Sequence, residues 1–116
     1  DARIRSVAQD EIGDVQAEQG NLAGALESYT AAMGIRERLA RDDAGSAQNQ
    51  RDLSVSHERI GDVLEAQGDI FGAIAAYEKI LPVAQALAER WPDHPQFQAD
   101  LSITMRRLEE LRGRAG

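Results

Sequence analysis

The sequence predicts an all-α chain of about five antiparallel helices, and three observations carry that expectation. Hydrophobic residues make up 42% of the 116 positions but aromatic ones only 4%, and Ala, Leu, Ile and Val supply most of the apolar side chains, a mixture that favours helices over strands. An internal repeat runs through the chain without a gap at an offset of 48 residues. Within each copy the apolar positions follow a helical period, as in Ile70, Ala73, Ile74, Tyr77, Leu81, Ala84, Ala88 and Trp91.

The repeat fixes the organisation. Ile12-Gly13-Asp14-Val15 recurs as Ile60-Gly61-Asp62-Val63, Gln19-Gly20 as Gln67-Gly68, Gly24-Ala25 as Gly72-Ala73, and Tyr29 as Tyr77. The same offset continues through Leu39-Ala40 against Leu87-Ala88, and Asp52-Leu53-Ser54 against Asp100-Leu101-Ser102. Gly68 suits the left-handed residue that ends one helix and Asp69 the cap that starts the next; Gly20-Asn21 plays the same part in the first copy. Each copy therefore reads as a helical hairpin with a tight turn.

Taken in order, the expected helices are Ala2–Gln19, Leu22–Asp42, Ala47–Gln67, Ile70–Trp91 and Pro95–Arg112, with polar turns at Asp43-Ala44-Gly45-Ser46 and Pro92-Asp93-His94. Gly34 and Pro82 fall at equivalent places in the second helix of each hairpin. The apolar pattern continues through Ala84, Leu87, Ala88 and Trp91, so a bend is expected there rather than a stop. We expect one domain over residues 1–116: a first unit over about 1–46, a second over about 47–94, and a partial unit or capping helix over 95–116. The abrupt start and the shortened third copy lead us to read it as a piece of a longer array.

Composition narrows function. The formal charge of −7 repels phosphate backbones and anionic lipid. The chain has no cysteine, which removes disulfides, thiolate metal sites and cysteine nucleophiles. Uninterrupted apolar runs are too short for a bilayer span, and no leader peptide opens the sequence, so a cytoplasmic location is the expectation. All basic residues but Lys79 are arginine, a hint of GC-rich bacterial coding.

An apolar residue then Gly in the first helix, Gly at the turn, Ala five residues on and Tyr four after that (Ile12-Gly13, Gly20, Ala25, Tyr29; Ile60-Gly61, Gly68, Ala73, Tyr77) resembles the tetratricopeptide repeat. The resemblance covers nearly the whole chain. Gln9 and His57 stand where the family carries an aromatic, Gln16 and Leu64 where it carries a tyrosine, and Glu109 where Gly13 and Gly61 stood. The repeat is also longer than the family's usual ~34 residues. The resemblance implies a right-handed superhelix, an α-solenoid, whose first helices line a concave face that holds a peptide or a partner's helix. Members that grip a C-terminal carboxylate use Lys, Arg and Asn at places that here are Asp10, Asp14, Glu58 and Asp62, which argues against a carboxylate clamp.

The leading functional expectation is a non-catalytic scaffold that binds a protein or peptide, with neither nucleic acid nor membrane as partner. Asp10, Asp14, Glu58, Asp62 and Glu65 would point into the concave face and attract basic partners, with Arg106 and Arg107 closing its far end. The alternative is self-assembly into homo-oligomers through the end helices, with Leu101, Ile103, Met105, Leu108 and Leu111 as the contact set. No catalytic, cofactor or metal site is expected: His57 and His94 read as a packed histidine and a helix-start residue, and the carboxylate pairs Asp10/Asp14 and Glu58/Asp62 lack a histidine in their stripe.

Overall fold

A computed structural model describes all residues, Asp1–Gly116. The chain is all-α, with five helices: α1 (Ala2–Glu18), α2 (Leu22–Asp42), α3 (Ala47–Ala66), α4 (Ile70–Arg90) and α5 (Pro95–Ala115). Each packs on its neighbours in sequence, α1 on α2, α2 on α3, α3 on α4 and α4 on α5.

The turns form by the expected chemistry. Gly20 and Gly68 have φ of 80° and 86°, a left-handed conformation that costs a residue with a Cβ. At the end of α1, the amide of Asn21 donates to the carbonyl of Gln16 and that of Gly20 to Ala17; at the end of α3, Asp69 donates to Leu64 and Gly68 to Glu65. This paired closure satisfies carbonyls a helix end otherwise leaves free. Asn21 and Asp69 then cap α2 and α4, accepting from the amides of Gly24 and Gly72 at 3.0 and 2.9 Å. Ser46 caps α3 through Asn49 N–H. His94 caps α5 through Nδ1, 3.4 Å from the amide of Phe97, and stacks on the Phe97 ring at 3.7 Å.

Boundaries differ from expectation by small steps. Gln19, Gln67 and Trp91 are the capping residues of their helices rather than their last turn. Helix α5 continues past Arg112 to Ala115, its final turn tied by Arg114 to Glu65 on α3. Helix α4 runs unbroken through the exposed Pro82. It is also long and apolar enough, by length and composition alone, to meet the criteria of a membrane span. The expectation that no segment would do so counted uninterrupted apolar runs and overlooked how few charges α4 carries; here it packs between α3 and α5.

Gly13 and Gly61 let the paired helices approach. A Cβ on Gly13 would lie 2.5 Å from Tyr29 Cε1, and one on Gly61 2.9 Å from Tyr77 Cε2. Each tyrosine ring thus occupies the volume its glycine vacates. The larger core gathers Ala73, Tyr77, Ile80, Ala84, Leu108 and Leu111 between α4 and α5; the smaller joins Ala25, Tyr29 and Val63.

Candidate binding face across the first helices

The first helix of each unit is tied to that of the next by a repeated set of polar contacts. Asp14 accepts from Tyr29 Oη at 2.5 Å and pairs with Arg59 at 3.2 Å. One repeat later, Asp62 accepts from Tyr77 Oη at 2.6 Å and pairs with Arg107 at 3.4 Å. A second tie recurs as Arg3 to Asp52 and Arg51 to Asp100, each 2.8 Å. These ties link α1 to α3 and α3 to α5. Burial, then the neighbouring carboxylate, raises the pKa of both tyrosines, so their hydroxyls stay protonated donors.

The expected acidic stripe is corrected at Asp10. Instead of lining an open face it is 4% exposed, with Oδ2 2.6 Å from Arg36 Nη1 and 3.2 Å from Arg59 Nη1. Arg36, itself 4% exposed, also donates to Ser56 Oγ at 3.0 Å. A carboxylate buried to that degree must be paired, and the guanidinium meets the need. Asp14 and Asp62 reach the surface but hold the tyrosines and arginines just described. Glu65 is bound by Arg107 at 2.5 Å and by Arg114. Burial alone would push the Glu65 pKa up, yet bonds from the two arginines outweigh it and hold the carboxyl low. Arg107 therefore folds back onto α3 and does not close the far end of a groove. Arg106 is exposed and makes no ion pair.

Glu58 differs from the other four acids. Its side chain reaches solvent and engages in neither a hydrogen bond nor an ion pair of the chain, and partial desolvation by the surrounding helices, followed by the charge of Asp62, raises its pKa. It stands between two depressions that meet across α3. One, of 590 Å³, is flanked by Asp14, Tyr29 and Arg59; the other, of 200 Å³, lies between α3, α4 and α5. A further apolar cleft of 340 Å³ lies away from this face, against Pro82, Val83 and Trp91.

Of the other expected residues, His57 is half-buried, and burial, then Lys79, lowers its pKa. The carboxylates and histidines form no group of three or more placed to hold a metal. Sequence reasoning missed Arg36, Arg59 and Arg3 as structural partners. For Arg3 and Arg59 the signal was present, since they recur as Arg51 and Arg107 at the repeat offset; Arg36 carried none, its equivalent being Ala84.

No family model, curated protein or solved structure matches the chain.

Proposed function

We propose that this chain is a non-catalytic interaction scaffold of the tetratricopeptide type, a superhelical stack that binds a peptide or partner protein across α1, α3 and α5. The observation that carries this reading is the pair of depressions meeting at Glu58, on a face whose other carboxylates are already neutralised within the chain. One unpaired carboxylate beside apolar Val55 and Val63 suits a segment that combines a basic group with apolar side chains. The net charge of −7 supports a basic protein partner over nucleic acid or a membrane.

Charge reversal of Asp14 and Asp62 is a poor test, because both hold tyrosines and arginines in place. Glu58→Lys is cleaner: helicity and melting temperature should be retained while a partner captured by the wild-type chain is lost. Retained affinity would move the binding surface elsewhere.

A second reading, self-assembly, has its own observation. The contact set expected at the C-terminal end is largely consumed, since Leu108 and Leu111 are 2% and 0% exposed against α4 and Leu101 packs beside them. Ile103 and Met105 remain exposed. At the other end Ile4, Ile12 and Val15 are 69%, 49% and 52% exposed. They are register equivalents of Asp52, Ile60 and Val63 on α3, where Val63 is buried with α2 residues. Light scattering across a concentration series separates the readings: a mass of 12.7 kDa throughout favours the free scaffold, and a rise abolished by Ile12→Asp favours assembly through α1.

A further inference from the structure

The two units place the same position of the fold in different states. In the first, Asp10 on α1, Arg36 on α2 and Ser56 on α3 form a filled polar site, with Arg36 Nη1 bridging the Asp10 carboxylate at 2.6 Å and the Ser56 hydroxyl at 3.0 Å. Moved by the repeat offset, these residues become Glu58 on α3, Ala84 on α4 and Thr104 on α5. The carboxylate and the hydroxyl are retained; the arginine has become alanine. Where its side chain would lie there is a 200 Å³ cavity, and Glu58, Ala84 and Thr104 all line it.

The cavity walls match the missing group. Val55, Ile80 and Leu87 offer an apolar sleeve for an aliphatic stem. Thr104 Oγ1 donates its proton to the carbonyl of Asp100 at 2.7 Å, which leaves its lone pairs free to accept, as Ser56 accepts in the first unit. Arg51 also lines the cavity but is held by Asp100 at 2.8 Å and makes no ion pair with Glu58. With two carboxylates and one guanidinium around it, the cavity carries a negative charge.

We infer that this cavity receives an arginine side chain from a partner peptide, with Glu58 as counter-ion and Thr104 as acceptor, reproducing in trans what Arg36 does in the first unit. The guanidinium is favoured over an ammonium because its fixed fork reaches a carboxylate and a second acceptor at once. The inference rests on the proposed binding face and assigns it one side chain.

The test titrates N-acetyl-arginine methylamide into the protein and follows backbone amide resonances, with the citrulline analogue as an uncharged probe of the same shape. The arginine probe should shift residues around Glu58, Ala84 and Thr104 to saturation, whereas citrulline should bind about tenfold or more weakly, as loss of a charge-assisted bond implies. Glu58→Gln should weaken arginine binding by a similar factor, and Ala84→Arg should abolish it by filling the cavity from within. Equal response to both probes, no response at these residues, or arginine binding undiminished in Glu58→Gln would each overturn the inference, whether or not Ala84→Arg folds. A partner lost on Glu58→Lys but kept on Ala84→Arg would overturn this assignment and leave the broader face standing. Probe binding that meets these expectations, with no partner lost on Glu58→Lys, would uphold the pocket and sink the broader face.

Discussion

The first hairpin, α1 with α2, and the second, α3 with α4, share a register yet stabilise themselves by different means. Each seats a tyrosine on a glycine and ties that tyrosine to an aspartate, but behind this shared crossing the first buries the ion pair Asp10–Arg36, whereas the second buries Ile80 and Ala84 with Leu108 and Leu111 from α5. The lesson is that a repeat fixes backbone geometry while leaving the filling of each layer free. Oδ1 of Asp10 and Nε of Arg36 are buried without hydrogen-bond partners. The polar filling is therefore incompletely satisfied, and polar networks of that kind contribute little net stability against an apolar alternative.

The largest effect that would break this contrast is at the ion pair. Arg36→Ala leaves the buried Asp10 carboxylate with only the longer, partly exposed pair to Arg59 at 3.2 Å, and should cost about 3 kcal/mol or more in urea-induced unfolding. Asp10→Leu combined with Arg36→Met should unfold within about 1–2 kcal/mol of wild type, because no charge is left unpaired. If single and double replacements cost the same, the pair is not coupled and the contrast between the hairpins fails.

Next in size is the feature the hairpins share. Gly61→Leu should overpack against Tyr77 and destabilise by roughly 1–3 kcal/mol or more, and Gly13→Leu by at least as much, since its Cβ would approach Tyr29 more closely. A neutral outcome in either would dissolve the proposed equivalence of the two crossings.

The ties between units should matter less. Arg59 and Arg107 are 33% and 25% exposed in their side chains, and replacing Arg107 by Ala should cost only about 1 kcal/mol or less once solvent screening is counted. A loss as large as that of Arg36→Ala would mean the units are held together chiefly by charge.

The smallest effect is a pH dependence at His57. Its folded pKa lies below the ordinary value of 6.5, chiefly through burial, so the unfolded chain takes up the proton first. Stability from the neutral ring is fully present above 6.5 and is lost as the pH falls from there through the lowered folded value. His57→Gln should flatten that part of the stability profile and leave the plateau above it unchanged; an identical slope in both proteins would place the titration elsewhere.

Much of the fold was legible because the signals were local. Gly20, Gly68 and their capping neighbours mark the turns, and the paired Gly13/Tyr29 and Gly61/Tyr77 mark the crossings. The acidic face was legible only in part. Asp10 and Asp14 lie one turn apart and look alike as residues on a helix surface, yet Arg36 reaches Asp10 from 26 positions away and draws it into the core. Whether a carboxylate faces solvent depended on a partner that helical periodicity does not reveal. Glu58 shares the sequence signature of its acidic neighbours, and its lack of a partner is a property of the packed helices, where no arginine reaches it because Ala84 stands in the place of Arg36.

The most direct test of this account is the structure of the Ala84→Arg variant. The account predicts that the new guanidinium bridges Glu58 and Thr104 as Arg36 bridges Asp10 and Ser56, closing the cavity without moving α4 or α5. A guanidinium turned out to solvent over a cavity that stays open would contradict it.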